Sequence, residues 1–390
     1  MRGCLTERSK SRLDRLTAVL ALPLLVALWL PVLDLRANRI APATGYNPAE
    51  VSGALHHAAI LAVGLMLLAA LLYLRRPALR LAILTMALLA LAVMLGHGAQ
   101  IMMTDQPPAA RVAPGEGFWL ALVCLVLLLI DAIARLPPGI GIRALLLAGA
   151  IGLSVVVLAS GLLADLSIFA EYRARAHAFQ RAAIDHVILA FGSFLAAMVI
   201  GLPMGLAIQR RPSVRGPVLN VLTLIQTIPS IALFGMLIVP LAWAAANVPG
   251  VSQAGISGIG TAPALIALFL YSLLPIVANT VAGIDAVPRA VRDAAAGMGM
   301  TSTQRMAQVN LPLALPVILA GIRIVLVQNI GLAAVGALIG SGGFGIFIFQ
   351  GIGQTATDLI LLGVLPIVAM AFLTSAVLDL LIALAQARRA

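Results

Sequence analysis

Apolar residues occupy this chain in long runs, and polar residues gather in short clusters between them. Runs long enough to cross a bilayer, about 20 residues each, fall at about 16–34, 54–74, 79–96, 118–134, 143–164, 186–208, 218–246, 262–284, 313–334 and 359–384. The pattern predicts an all-α polytopic membrane protein with about ten transmembrane helices. The runs 79–96 and 118–134 are short. The run 218–246 is long and holds Pro229 and Pro240, which predict a kink or a break because proline removes a ladder donor.

Composition supports the bilayer as solvent. The 390 residues are 62% hydrophobic and 10% charged, against about 25% charged in a soluble domain. The net charge of +11 does not point to nucleic acid, because the basic residues sit in clusters between apolar runs and aromatics are few. With a cytoplasmic N-terminus, the clusters Arg8–Lys10–Arg12–Arg15, Arg75–Arg76–Arg80, Arg135–Arg143, Arg210–Arg211–Arg215, Arg289–Arg292–Arg305 and Arg388–Arg389 all fall inside. Arg36, Arg39, Arg111, Arg173, Arg175 and Arg181 fall outside. This bias predicts ten spans with both termini cytoplasmic. The first run extends to about Leu33 and lacks a small-x-small site, so it reads as a retained helix rather than a cleaved leader. Cys4 and Cys124 supply neither a disulfide framework nor zinc spacing.

The halves differ in texture. Residues 1–165 form an accessory domain of about five Leu- and Ala-rich spans. Residues 166–185 form an amphipathic extracytoplasmic connector, and residues 186–386 a core whose spans contain Gly, Pro and amides. Small residues allow close helix packing in lipid, and Pro and Gly mark helix breaks along pathways. Lys10 is the only lysine and has no Gly-rich context, so the chain holds no P-loop. From Pro217 to Ile284 there is no Asp, Glu, Lys, Arg or His, whereas proton- and sodium-coupled carriers usually keep a carboxylate in the membrane. Asp131 and Asp379 lie near cytoplasmic span ends, a snorkelling or helix-end position. Arg323 lies about ten residues into its span, where it either snorkels, meets a carbonyl at a bundle interface, or serves a pathway.

The longest polar cytoplasmic loop of the second half runs from Asp285 to about Leu311. Pro288 is placed to start a helix through Arg289, Arg292 and Ala296, Gly297 and Gly299 to end it, and Thr301 or Ser302 to cap a second short helix. Asp293-Ala294-Ala295, three residues, Gly299, nine residues, then Val309-x-Leu311-Pro312 resembles the EAA loop of binding-protein-dependent ABC importer permeases, EAA-x3-G-x9-I-x-LP. It departs by Asp for Glu and Val for Ile. The resemblance covers residues 186–386 and implies a five-helix type I permease core. It also implies that this loop docks into an ATPase subunit. Leu224–Gly235 (LIQTIPSIALFG) and Ile339–Gly345 (IGSGGFG) resemble segments of the osmoprotectant permeases, importers of glycine betaine, choline or carnitine. The N-terminal extension is similar to that of the Yeh-type member.

The resemblance implies three partners and no cofactor bound by this chain. They are an ATPase that uses the ATP, a second permease subunit (an identical copy or a shorter paralogue) and a periplasmic binding protein. Candidate pathway residues are Gln226, Thr227, Pro229, Ser230, Asn279, Gln328 and Asn329, each of which either lines a route or hydrogen-bonds between helices. The turn of Gly342, Gly343, Phe344 and Gly345 reads as an outer gate or as a flexible connection. An uncharged path suits a zwitterion, and an aromatic cage for a quaternary ammonium is expected on the binding protein. His56, His57 and His97 sit on the outer side. Haem ligation by such a pair needs a second pair or a CxxCH motif, so interfacial placement is the simpler account. Alternatives are an ABC permease for an amino acid or organic anion, a secondary carrier, and a membrane redox subunit.

Overall fold

The structure is a computed structural model that describes residues 14–387 except 40, 53, 75 and 138. Side chains of residues 52–61 and 387 lie outside the described set, so His56 and His57 do too, as do the basic residues before Asp14, Arg75, and Arg388 and Arg389. The chain forms two compact units, Met1–Ala174 and Arg175–Ala390.

The first unit contains α1 (Arg15–Ala27), β1 (Leu33–Arg36), β2 (Thr44–Tyr46), α2 (Pro48–Ser52), α3 (Ala54–Tyr73), α4 (Pro77–Met103), β3 (Arg111–Pro114), α5 (Glu116–Ala134), α6 (Ile140–Ala159) and α7 (Ser167–Ala174). Asp14 caps α1 by accepting from the Thr17 N–H at 2.9 Å. α4 opens with Pro77, whose missing donor is harmless there. The first apolar run is not one helix to residue 34. α1 stops at Ala27, short of Pro31, and Leu33 enters β1, because a proline cannot extend the ladder. The helical reading holds, with one addition in the loops. Loop segments form a three-stranded antiparallel sheet in the order β2-β1-β3, with Leu33 opposite both Tyr46 and Pro114. Val32, Leu33, Leu95, Ala99, Val112 and Leu166 make a core beneath it. A second core of Leu71, Leu84, Leu91, Leu125, Leu128 and Ala132 joins the helices.

The second unit contains α8 (Ala176–Val187), a π turn (Ile188–Gly192), α9 (Ser193–Gln209), α10 (Pro212–Thr227), α11 (Ser230–Asn247), α12 (Thr261–Asp285), α13 (Arg289–Gly297) and α14 (Ser302–Arg305). A second π turn (Met306–Asn310), α15 (Leu311–Ala333), a 3-10 segment (Ala334–Ile339), α16 (Gly345–Gly353) and α17 (Thr357–Ala387) complete it. α12 lies at the centre, packed on α9 and α15, with α17 on the far side of α15. Gly321 of α15 meets the Asn279 side chain of α12 so closely that a Cβ there has no room.

Among the described residues, eight helical segments are long and apolar enough to cross a membrane. α1 and the apolar part of α3, Ala62–Tyr73, are shorter. Two segments exceed the expected spans because neighbouring short helices fuse with them, giving continuous runs Ala176–Gln209 and Ser302–Ile339. The long run 218–246 is broken, as Pro229 predicts. Ile228 (φ −69°, ψ 127°) and Pro229 (φ −56°, ψ 139°) are extended between α10 and α11.

Candidate functional site: the α13–α15 loop and the polar groups of the second unit

The loop between α12 and α15 owes its shape to a few residues. Pro288 precedes α13, on which Arg289, Asp293 and Ala294 are exposed, Arg292 is half-buried and Ala295 is buried. The helix ends in a double hydrogen bond: the Met300 N–H donates to the Ala295 carbonyl at 3.2 Å, and the Gly299 N–H to the Ala296 carbonyl at 3.0 Å. This is a Schellman turn, which needs a left-handed residue at its hinge. Gly299 supplies it with φ +81°. The spacing from Ala295 to Gly299 is therefore the spacing of one helix stop. Thr301 and Gln304 then close a capping box: the Thr301 N–H donates to Gln304 Oε1 at 2.8 Å, and the Gln304 N–H to Thr301 Oγ1 at 3.3 Å.

From that box the helix does not stop. α14 passes through the π turn that holds Val309 into α15, which begins at Leu311-Pro312. Pro312 has no N–H to donate, and the ladder widens to π spacing just before it. Val309 is half-buried, and Leu311 and Pro312 are exposed. Asp285, at the loop's entry, accepts from Arg215 at 2.7 Å and from Gln209 at 3.4 Å, tying the α9–α10 corner to the end of α12. Nothing in the residue pattern points to that tie.

The candidate pathway residues divide into three groups. Gln226 is engaged within the bundle. Pro275 leaves the Tyr271 carbonyl without its helical donor, and Gln226 Nε2 donates to that carbonyl at 2.7 Å. The Tyr271 hydroxyl donates in turn to the Ile228 carbonyl at the break between α10 and α11. Asn329 is 1% exposed; its Nδ2 donates to Ser193 at 3.0 Å, and Ser272 donates to its Oδ1 at 3.0 Å. One amide thus stitches α9, α12 and α15. Asn279 donates to the Pro275 carbonyl of its own helix at 2.7 Å. Thr227 and Pro229 are exposed, and Ser230 and Gln328 half-buried.

The glycine turn is packed rather than loose. Gly342 (φ +85°) lies against Asp185 and Gly343 (φ +80°) against the His186 ring. The Phe344 N–H donates to His186 Nδ1 at 3.3 Å, and His186 Nε2 lies 2.9 Å from the Ile330 carbonyl. Both bonds are satisfied by a neutral ring with its proton on Nε2. Phe179 meets Phe344 at a 49° tilt and stacks on Phe347, with centroids 5.1 and 6.2 Å away. Gly345 starts α16 directly against the Ala334 carbonyl. Arg323 neither snorkels nor meets a carbonyl: it pairs with Asp379, joining α15 to α17. His97 is exposed on α4, and no group of three or more potential metal ligands occurs among the described residues.

The family profile of the inner membrane component of binding-protein-dependent transport systems matches residues 197–390. The profile described as ABC transporter permease YehY, N-terminal domain, matches residues 13–169. The osmoprotectant import permease protein OsmW of Salmonella typhimurium is 45% identical over 45% of this chain and 76% of its own length. This chain belongs to the permease family of binding-protein-dependent transport systems. The glycine betaine/carnitine/choline transport system permease OpuCD of Bacillus subtilis is 37% identical over 50% of this permease and 78% of its own length. A solved inward-facing MetNI methionine ABC transporter matches with 23% identity over 53% of the permease and 95% of that chain, at a TM-score of 0.47.

Proposed function

We propose that this permease is the membrane subunit of an ATP-driven importer of osmoprotectants such as glycine betaine, carnitine or choline. The geometry that supports the reading best is the exposed helix α13, ended by the Schellman turn at Gly299 and followed by one helix from Ser302 to Ile339. An ATPase that grips Arg289, Arg292, Asp293, Ala294 and Ala295 moves a rigid knob, and through Val309, Leu311 and Pro312 that movement passes into α15. ATP is bound and hydrolysed on the ATPase; this chain contributes no nucleotide site and binds no cofactor. A second permease subunit completes the pore, and a periplasmic binding protein delivers solute to the outer side, where the turn Gly342–Gly345 acts as gate.

The arginine clusters support an orientation with both termini and the α13 loop in the cytoplasm of a cell with an inner membrane. Residues 1–165 brace, regulate or simply anchor, and residues 186–386 carry transport. The solute class rests on the names of the relatives, OsmW and OpuCD among them, and on the uncharged stretch from Pro217 to Ile284.

Uptake of labelled glycine betaine by cells with and without this gene tests the reading, repeated with Gly299→Asp. An aspartate with φ +81° strains the turn and puts a charge on the docking surface, so uptake is expected to vanish while the protein still inserts. Uptake that ignores the gene while an ATPase still co-purifies removes the osmoprotectant assignment. Absence of any associated ATPase removes the reading altogether.

A further inference from the structure

α10 has three faces. Leu222 and Gln226 pack inward; Val214, Val221 and Leu224 are exposed and apolar, as a lipid-facing surface is. Between these faces, Ser213, Asn220, Thr223 and Thr227 are all exposed. At 3.6 residues per turn these four fall within about 80° of the helix circumference, one narrow polar stripe. Hydrocarbon does not accept such a stripe, since an amide without a partner costs several kcal/mol there. Thr223 and Thr227 satisfy their hydroxyl protons on the Leu219 and Leu224 carbonyls, at 2.8 and 2.7 Å. Asn220 has no hydrogen-bond partner among the described residues.

A second observation sits at the end of the stripe. Directly after Thr227 the helix breaks, with Ile228 and Pro229 extended and Pro229 exposed. Non-helical backbone at membrane depth is tolerated where it is buried in protein or lines a water-filled cavity. An exposed break that continues an exposed polar stripe meets the second condition.

We infer that the Ser213–Asn220–Thr223–Thr227 face of α10 lines the aqueous route, and that Asn220, Thr223 and Thr227 contact the solute in transit. Gln226, beside them in sequence, instead holds the break shut against α12 through the Tyr271 carbonyl. The ligand class is a small zwitterion without net charge. The Asn220 amide N–H groups donate to its carboxylate, the threonine hydroxyl oxygens, whose protons are already engaged, replace water around its cation, and a neutral wall traps neither end. This inference rests on the transport reading above and names the residues that serve it.

The test uses the full importer in cells, with Cys4→Ser and Cys124→Ala as background and single cysteines at Asn220, Thr223, Thr227, Val221 and Leu224. The probe is a charged, membrane-impermeant methanethiosulfonate. Positions 220, 223 and 227 are expected to react at least about tenfold faster than 221 and 224, because only a hydrated thiol ionises readily. Saturating glycine betaine is expected to slow that reaction. Equal and slow labelling on both faces overturns the inference, as does spontaneous disulfide formation between two copies at 220 or 227, which assigns the stripe to a subunit contact. Fast labelling that a different solute slows, and betaine does not, supports the stripe and overturns the osmoprotectant reading alone.

Discussion

In the first unit, Arg80 is 0% exposed yet carries a full charge. It bonds to the Leu71 and Leu74 carbonyls at 3.1 and 3.3 Å and to the Thr17 hydroxyl at 2.9 Å. It also lies 3.2 Å from Asp14 and 3.8 Å from Asp131, both of which Arg135 bridges as well, at 2.7 and 2.8 Å. In the second unit the buried links are neutral: Ser193, Ser272 and Asn329 across three helices, and Gln226 with Tyr271 at the α10–α11 break. A buried charge deprived of its partner is destabilising by several kcal/mol, whereas a neutral hydrogen bond contributes about 1 kcal/mol and can be exchanged for another. The first unit is built to hold one arrangement. The second is built to change.

The largest expected effect tests the rigid side of that contrast. Arg80→Met should lower the stability of the detergent-solubilised chain by about 3–5 kcal/mol, read as a fall in melting temperature; a loss under about 1 kcal/mol would put Arg80 among the exchangeable contacts. The next probes the charged link between two spans of the second unit. Arg323→Glu should cut uptake at least about tenfold by setting two acids against each other in a span, and adding Asp379→Arg should restore most of it. Failure of the double reversal to rescue means the pair is not what joins α15 to α17.

Asn329→Leu is expected to cost only about 1 kcal/mol, because Ser193 and Ser272 keep bonds to the Leu189 and Leu268 carbonyls at 2.6 and 2.7 Å. A loss as large as that of Arg80→Met would erase the contrast. A further effect is one of pH. Burial pushes the Asp14 carboxyl up, but bonds from Thr17 and Arg135 and the Arg80 charge outweigh it, holding it at about 2 against an ordinary 3.8. A depressed carboxyl stabilises the fold above its ordinary value and loses that stabilisation as pH falls through the lowered one. The melting temperature should therefore drop between about pH 4 and pH 2, and Asp14→Asn should flatten that drop.

Some of this was legible in the residues. Pro229 announced the break, Gly299 the stop of α13, and Thr301 the cap of α14, because each acts on its own backbone within a few residues. The strands at Leu33–Arg36, Thr44–Tyr46 and Arg111–Pro114 were not legible: three or four residues carry no period, and the partners lie in different loops. Nor were Tyr271, His186 and the Arg323–Asp379 pair, whose roles depend on which helices meet. Gln226 shows the boundary. Its need to satisfy a proline-freed carbonyl was readable, but the proline concerned is Pro275 on α12, not Pro229 three residues away.

The continuous helix from Ser302 to Ile339 spans 38 residues, about 57 Å at 1.5 Å per residue. A rod of that length is a lever whose short displacements at one end grow with distance from the pivot. If it pivots near its inner end, a tilt of about 5° swings the other end by about 5 Å. That is comparable to the 5.1 Å between the rings of Phe179 and Phe344, just beyond the lever's tip. The same tilt moves Gly321, halfway along the rod, by about half as much, so its close contact with Asn279 on α12 has to shift with it.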